Sequence, residues 1–337
     1  MYTIDSWNCP LISNSVSCAH FVRLQPIQWS SEYNDTEIAL VYYNYRHYNP
    51  LAGRWIGRDM LGENGGHCLY SYSDNKTLCY LDVLGLDVII ISGGIDINGG
   101  DHDNYWKNFI DSASRKIEEI KRNAPNEKID WLIESDTYKD RYAYDLDKLQ
   151  KSSGLKENLK YYCLKFKGSY IGIIEELAKE LGVNLRFYTN KAELKKYINS
   201  DVYGLPRKQS SVSNVSYFGH GYPHALSLNI NDSSHDLTYN EIKNEGIINS
   251  KYLTQAPNIE LYTCHSASTE PSSGVNISIA ETLSNLYPNS RVIGYHGRIN
   301  YEPVAKGGMP VPGTTFRDTV IRGGFKKPQQ IIFGRNK

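Results

Sequence analysis

Residues 87–94 read Asp-Val-Ile-Ile-Ile-Ser-Gly-Gly, a continuous apolar run closed by a glycine pair. A run of this kind is typical of a strand that is buried on both faces of a parallel sheet. Five further apolar segments follow, separated by helical patterns and loops, so that the predicted strands are 87–92, 128–133, 183–188, 212–218, 258–262 and 291–295. This alternation predicts an α/β domain over residues 87–337, with a mostly parallel sheet of about six strands and helices on both faces.

The segments between and after these strands complete the predicted domain. Apolar periodicity places helices at 105–122, 170–181, 192–198 and 277–286. The stretch 221–250 is long and polar, and it is interpreted as a hairpin or an inserted loop. Residues 303–313 are interpreted as a loop, and the end of the chain as a turn followed by a short tail.

Composition and charge exclude several classes of protein. The chain has 337 residues, enough for two folded units, and 40% of them are hydrophobic, which is an ordinary globular value. Lysine plus arginine (37) equals aspartate plus glutamate (37), so no nucleic-acid partner is expected. No apolar run approaches the ~20 residues that span a bilayer, and the first residues lack the pattern of a secretory signal peptide. The six cysteines contain no C-x-x-C pair, so a structural zinc site is not expected. No cofactor is expected either.

Residues 30–86 differ in texture from the rest of the chain. Tyrosine, glycine and asparagine are frequent there, and turn pairs such as Asn49-Pro50 interrupt short alternating segments, which predicts short β-hairpins. Three consecutive pieces, SSEYNDTEIALVYYNYRHYNPLAGRWIGRD, LGENGGHCLYSY and DNKTLCYLDVLGL, resemble the RHS repeat-associated core, which closes the shell of RHS polymorphic toxins. The segment 30–86 is therefore interpreted as a small β-hairpin RHS-core remnant, and residues 1–29 stay unassigned.

The resemblance implies a role for the whole chain. In RHS proteins the segment after the core is the variable toxic payload, so residues 87–337 are expected to be a C-terminal toxin or effector domain. Such a protein would be made in the bacterial cytoplasm without a signal peptide and then secreted or delivered into a target cell. Its partners would be an RHS shell, an immunity protein in the producer and a protein substrate in the target cell.

The end of the front segment carries a candidate self-cleavage site. In the RHS family an aspartyl autoprotease cuts after the leucine of a D-P-x-G-L motif, which here reads DVLGL, with valine in place of proline. The resemblance places the aspartates at Asp59 and Asp82, the supporting arginine at Arg46, and the cut between Leu86 and Asp87. Two carboxylates forced together cannot both ionise, so one can act as the acid while the other activates water. Aspartate is also common in turns, which is the alternative interpretation of both positions.

Two predicted strands of the second domain end on residues that suit catalysis. VSYFGHG (215–221) delivers His220 and Gly221 into a loop, and IELYTC (259–264) ends on Cys264. Ligands bind beyond the carboxyl ends of strands in an open parallel sheet, so residues that follow consecutive strands converge there. A histidine at that edge can take the thiol proton, and the thiolate is then a nucleophile for acyl transfer. The glycine after the histidine leaves room for a backbone N–H to face a developing oxyanion.

These blocks resemble the clan CD cysteine peptidases, the caspase, gingipain and legumain group. Their pattern is a hydrophobic block before His-Gly and a second block that ends at the catalytic cysteine. The resemblance implies a caspase-like fold and a Cys/His-dyad endopeptidase. His220 would be the general base and acid, Cys264 the nucleophile, and the backbone amides of Gly221 and Cys264 the oxyanion donors. Three residues lie in the regions of the family's substrate pocket: Asp96, Asp101 and Arg298.

Other assignments stay open. His224 and His296 are the competing bases, His102 could line the same cleft, and His265 should point to the opposite side. A single cysteine or histidine is usually structural, so a non-enzymatic interaction module with an inert pair is one alternative. A nuclease or an acyl/ADP-ribosyl transferase is the other. The motifs of zinc deaminases, P-loop proteins and G-x-S-x-G hydrolases are missing from the sequence.

Overall fold

The computed structural model describes residues 33–57 except 36 and 44–45, residues 87–313 except 126, 208 and 210, and residues 328–334. The chain divides into two compact units, Met1–Leu84 and Gly85–Lys337. This division lies close to the boundary between residues 86 and 87 that the sequence suggests. Each unit forms its own sheet.

The described part of the first unit is an antiparallel meander of four short strands. They are β1 (Tyr33–Asp35), β2 (Leu40–Tyr43), β3 (Arg46–Asn49) and β4 (Arg54–Trp55), and each pairs with the next along the chain. Asp35 and Asn49 each accept two backbone N–H groups of the turn that follows them, an Asx-turn arrangement. Val41 and Tyr48 are buried beside Trp55, which gives this sheet a small apolar cluster.

The second unit is an α/β domain built around a large sheet. Its strands are β5 (Asp87–Ser92), β6 (Lys128–Glu134), β7 (Asn184–Tyr188), β8 (Val212–Phe218), β9 (His220–Tyr222), β10 (Ala225–Ser227), β11 (Leu237–Thr238), β12 (Leu253–Tyr262), β13 (Arg291–His296), β14 (Ile299–Asn300), β15 (Val311–Pro312) and β16 (Gln329–Gly334). Its helices are α1 (Asn108–Asn123), α2 (Asp136–Lys151), α3 (Leu155–Phe166), α4 (Tyr170–Leu181), α5 (Lys191–Ile198), α6 (Tyr239–Glu245), α7 (Ile279–Leu286) and α8 (Glu302–Ala305).

Within the described residues, the large sheet has seven strands in the order β16–β13–β12–β8–β5–β6–β7. Its neighbouring pairs are parallel except for β13 and β16, which are antiparallel. The prediction of a mostly parallel sheet with helices is confirmed, and the predicted strands correspond to β5, β6, β7, β8, β12 and β13. β5 lies between β8 and β6 in the middle of the sheet, which explains why its sequence is continuously apolar.

Helices cover both faces of this sheet. Ile89 and Ile91 of β5 belong to one buried cluster that includes residues of α5, α6 and α7. Val88 and Ile90 belong to a second cluster that includes residues of α1 and α4. Alternate side chains of a strand point to opposite faces, so the five consecutive buried residues of β5 require cover on both sides. Burial of each such isoleucine contributes about 1.5–3 kcal/mol.

Several segments differ from the sequence prediction. The end of the chain, interpreted as a tail, contains β16, which pairs along the length of β13. Apolar periodicity did not predict α2 and α3, because α2 buries three residues and α3, all of whose residues are described, buries none. The stretch 221–250 holds the hairpin β9–β10 together with β11 and α6. The predicted loop 303–313 contains most of α8 and all of β15.

A buried ion network closes the amino-terminal end of the sheet. Arg207 Nη1 lies 3.1 Å from Asp87 Oδ2, and its Nη2 lies 2.5 Å from Asp130 Oδ2. The Arg207 side chain is 1% exposed. Replacing Arg207 by methionine is expected to lower the free energy of unfolding by about 3–5 kcal/mol, because the half-buried Asp87 loses its arginine partner and the buried Asp130 keeps only Arg186, at 3.2 Å. Urea denaturation followed by circular dichroism measures this loss.

The matched control is Lys151→Met, which removes an exposed ion pair with Asp147 at 2.7 Å. Exposed pairs contribute little to stability, so this variant should keep the wild-type urea midpoint. An Arg207→Met protein as stable as the wild type would show that the buried network does not stabilise the domain.

Candidate active site

The carboxyl ends of β8 and β12 bring His220 and Cys264 to the same level of the sheet. The two strands are parallel neighbours with Phe218 opposite Tyr262, and each strand is followed two residues later by one of the predicted site residues. A β-carbon added to Gly221 would lie 3.0 Å from the carbonyl oxygen of Cys264. The two chain segments therefore approach each other closely, and a side chain at Gly221 would collide with the cysteine loop.

A buried carboxylate holds the imidazole of His220. Its Nε2 lies 2.7 Å from Asp103 Oδ2, and Asp103 is fully buried. The Phe109 ring packs edge-on against the imidazole, with centroids 5.1 Å apart. The Tyr217 hydroxyl donates a hydrogen bond of 3.1 Å to the His220 carbonyl oxygen. A carboxylate accepts from a protonated Nε2, and this inferred tautomer makes Nδ1 the ring nitrogen that can take a proton.

An arginine of α2 fixes the loop that carries Asp103. Arg141 donates to the carbonyl oxygen of Asp96 at 3.1 Å and to that of Asp103 at 2.8 Å. Asp145 Oδ2 lies 2.8 Å from Arg141 Nε. The Asp103 oxygen that contacts the imidazole also accepts the Asp96 N–H at 2.7 Å. The carboxylate is therefore held by its own loop as well as by His220.

Glu134, at the end of β6, supports the same loop. It accepts the backbone N–H of Thr137 at 3.0 Å, and the Thr137 hydroxyl also donates to it. That hydroxyl in turn accepts the N–H of Ile95 at 3.1 Å. Burial raises the pKa of Glu134 to about 7, although these hydrogen bonds favour the charged carboxylate. Glu134 accepts a hydrogen bond from the first turn of α2, and α2 carries Arg141, which binds the loop after β5. Glu134 therefore helps to position that loop.

Asp103 was not predicted from the sequence. It lies in the short segment GGDHDN. In that segment the sequence predicts Asp101 as a substrate-pocket residue and His102 as a residue that lines the cleft. The sequence indicates a site in this segment only by its run of titratable residues after a predicted strand. Such a run does not show which of the side chains is buried against His220. The 3₁₀ turn Asp101–Asn104 places Asp103 toward His220. The side chains of Asp101 and His102 lie outside the described part of the structure.

The loop that carries Cys264 is fastened to β13 and to the segment after it. Ile299 donates its N–H to Cys264 Sγ at 3.4 Å, and Tyr295 donates its N–H to Ser266 Oγ at 2.9 Å. Cys264 is partly buried and carries a thiol rather than a disulfide. His265 has a φ of 60°, a left-handed conformation that non-glycine residues rarely adopt. The chain therefore turns sharply directly after the cysteine.

The other candidate histidines contact different groups. His265 and His296 share a serine hydroxyl, which lies 3.4 Å from the Nδ1 of each. His224 Nδ1 lies 3.1 Å from Glu270 Oε2, and the His224 side chain is 52% exposed. The geometry favours His220 as the base, because it follows the strand next to the cysteine strand and contacts a fully buried carboxylate.

The structure describes the side chains of two residues that are predicted to lie near the substrate side chain, Asp96 and Arg298. Asp96 caps its own loop, since its Oδ1 accepts the N–H of Asn98 at 2.9 Å and its Oδ2 accepts that of Gly100 at 3.2 Å. Arg298 is exposed between β13 and β14. Asp96 is therefore a poor candidate for binding a substrate, because the loop already uses both of its oxygens.

The candidate self-cleavage residues lie mostly outside the described residues. Asp59, Asp82 and Leu86 are not described, and neither is the side chain of Arg46, whose backbone belongs to β3. Asp87 is the first residue of β5, and its carboxylate pairs with Arg207. Self-cleavage therefore stays a prediction.

The site offers a thiol, an imidazole and a buried carboxylate, the set of groups that nucleophilic acyl transfer uses. Within the described parts of the chain, no cluster of three or more histidine, cysteine, aspartate or glutamate side chains could hold a metal ion. The helices described here include none that is both long enough and apolar enough to cross a membrane.

Comparisons with known proteins match parts of this chain to parts of toxins. It is 39% identical over 67 residues to the toxin protein Tse5 of Pseudomonas aeruginosa, covering 20% of this chain and 5% of that protein. It is 39% identical over 62 residues to the double-stranded DNA deaminase toxin A of Burkholderia cenocepacia, covering 18% and 4%. A match to YlbH of Escherichia coli is 33% identical over 121 residues and covers 35% of this chain and 46% of YlbH. The chain thus spans less than half the length of each of these relatives. No protein-family profile and no solved structure matches the chain.

Proposed function

We propose that residues 87–337 form the effector domain of an RHS-type toxin and that this domain is a cysteine endopeptidase acting on a protein of a target cell. One observation carries the chemistry: His220 and Cys264 follow neighbouring parallel strands, and His220 contacts the buried Asp103. The order of a histidine strand and an adjacent cysteine strand agrees with the resemblance to clan CD peptidases. Partial similarity to two toxins supports the effector role.

The proposed reaction is acyl transfer through a thioester. His220 Nδ1 takes the proton of the Cys264 thiol, and the thiolate attacks the carbonyl carbon of the substrate peptide bond. The carbonyl electron pair moves to oxygen, where the N–H groups of Gly221 and Cys264 stabilise it. When the C–N bond breaks, the imidazolium gives its proton to the leaving amine. Water, deprotonated by His220, then attacks the thioester, which releases the carboxylic acid and restores the thiol.

Asp103 acts through His220 in this mechanism. His220 becomes an imidazolium each time it takes a proton, from the thiol and later from water, and a carboxylate 2.7 Å from Nε2 stabilises that charge by a charge-assisted hydrogen bond. The effect is strong because Asp103 is fully buried, so water does not weaken the attraction. Asp103 is therefore a positioning residue, which orients the ring and stabilises the imidazolium that forms during the reaction.

Brief exposure to a limiting amount of a haloacetamide below neutral pH tests the dyad. We expect Cys264 to be labelled at least about tenfold faster than Cys163, because a thiol paired with imidazolium ionises where an ordinary thiol, with a pKa of about 8.5, does not. Cys163 is an exposed cysteine on α3 and serves as the internal control. Peptide mapping by mass spectrometry reads each site, and His220→Ala should slow labelling of Cys264 to the rate of Cys163.

Equal labelling of Cys264 and Cys163 would contradict the dyad. A nuclease, an acyl or ADP-ribosyl transferase, or a non-enzymatic interaction module would then be the role to test for the payload. The intact mass of the same sample also tests self-cleavage, because a cut after Leu86 leaves a product that consists of residues 87–337. That product would support the aspartyl site, whereas the full-length mass would show that the front segment no longer cuts.

A further inference from the structure

A buried carboxylate lies in the same row of the small sheet as His220. Strands β9, β10 and β11 pair antiparallel, with His220 opposite Ser227 and Leu226 opposite Leu237. Asp236 immediately precedes β11, so the register of the second ladder, continued by one residue, sets it opposite Ser227. Residues directly opposite one another share a face of the sheet. The Asp236 backbone is therefore about 10 Å from that of His220, across two strand spacings, and both side chains lie on one face.

Asp236 has an oxygen that the described structure leaves unsatisfied. The residue is 6% exposed, and its Oδ1 is buried without a hydrogen-bond partner among the described residues. Lys191 and the His224 ring act on its charge, but each is close to another carboxylate: Lys191 lies 3.2 Å from Glu241, and His224 lies 3.1 Å from Glu270. Burial raises the pKa of Asp236, and an unpaired buried acceptor costs stability. A ligand that supplies the missing donor explains why such a group is kept.

Tyr222 lies on the same strand as His220. It follows His220 by two residues in β9, so the two side chains share a face, and it is 39% exposed. Burial raises the pKa of the Tyr222 hydroxyl, and the charges of Asp236 and Cys264 raise it further. The exposed phenol therefore gives this face of β9 an accessible edge beside His220.

We infer that Asp236 binds the P1 side chain of the substrate, the one just before the scissile bond, and that this side chain is arginine or lysine. The inference rests on the proposed peptidase function and gives its substrate class. A cation on a long, flexible stem can reach a carboxylate that is set back from the reacting carbon. Its hydrogen bonds to a desolvated carboxylate are strong, and the exposed ring of Tyr222 can pack against a guanidinium.

Alkylation of Cys264 by peptidyl chloromethyl ketones tests the inference, with arginine, lysine, leucine or aspartate at P1. The wild-type protein is expected to react about 100-fold faster with the arginine probe than with the leucine probe, because the guanidinium pairs with a buried carboxylate. Asp236→Asn keeps the shape of the side chain, removes the charge and should bring this ratio close to one. Asp232→Asn is the matched control, since it lies on an exposed 3₁₀ turn that asparagine can still cap, and it should keep the wild-type ratio.

Labelling with a haloacetamide, which has no P1 group, separates this inference from the proposed peptidase function. A wild-type ratio near one, or a preference for the leucine or aspartate probe, combined with rapid haloacetamide labelling, overturns the role of Asp236 and leaves the peptidase proposal intact. A high ratio that survives Asp236→Asn also overturns it. Haloacetamide labelling of Cys264 no faster than that of Cys163 overturns both. The wild-type ratio is measured on the native protein, so the result holds even where Asp236→Asn fails to fold.

Discussion

Cys264→Ala is expected to abolish protein cleavage, a loss of about 10⁴–10⁶-fold, while the domain stays folded. Loss of the nucleophile has effects of this size in peptidases, because the groups that remain only bind the substrate and its transition state. The domain should fold because cysteine and alanine differ by one heavy atom, and Cys264 is only partly buried at the edge of the core. Gel electrophoresis of a denatured protein substrate measures the cleavage, and far-ultraviolet circular dichroism measures the fold.

Two further variants make this result specific to the thiolate. Cys163→Ala makes the same chemical change at an exposed cysteine on α3 and should leave cleavage at the wild-type rate. Cys264→Ser keeps the shape of the side chain, but its hydroxyl does not ionise beside an imidazole as a thiol does, so it should be nearly as inactive as Cys264→Ala. Cleavage of the substrate by the Cys264→Ala protein would contradict the peptidase proposal.

The parallel core of the second unit could be predicted because an interior strand, β5, has a sequence that is typical of such a sheet. Five consecutive residues of β5 are buried, and a strand without alternation fits a sheet that is covered on both faces. β16 carries no such signal, since its residues are exposed or half-buried, and only its pairing with β13 makes it a strand. The same holds for α3, which buries none of its residues, all of them described.

The candidate site could be predicted in part, for a related reason. His220 and Cys264 each follow an apolar strand, and the parallel register of β8 and β12 then brings them to one level. Asp103 and Asp236 lie in loops whose course depends on contacts elsewhere in the fold. Arg141, which fixes the first of these loops, is 38 residues further along the chain. Local periodicity in a sequence does not record such contacts, so the burial of a loop carboxylate becomes visible only in the folded chain.

Asp103→Asn is expected to lower kcat/KM for peptide cleavage about 10²–10⁴-fold. Asparagine keeps an oxygen that can accept the N–H groups of Asp96 and His220, which Asp103 Oδ2 contacts at 2.7 Å each, so the loop and the ring should keep their places. The amide carries no charge, so the imidazolium that forms when His220 takes a proton loses its anionic partner. Because position 103 is fully buried, water does not replace that partner. Steady-state cleavage of a peptide measures the loss.

The pH profile separates this electrostatic role of Asp103 from a structural one. Both the thiolate of Cys264 and the imidazolium of His220 are needed, so kcat/KM should follow a bell-shaped curve. Asp103→Asn removes an anion beside the imidazolium, which is present on both sides of the acid limb but is lost in the alkaline limb. The alkaline limb of the curve should therefore move to lower pH, while the acid limb should not move to higher pH. A structural defect would instead lower the rate equally at every pH. Asp147→Asn, on the exposed face of α2, is the control and should keep the wild-type curve. A lowered curve whose alkaline limb stays at the wild-type pH would mean that Asp103 only shapes the loop and does not stabilise the imidazolium.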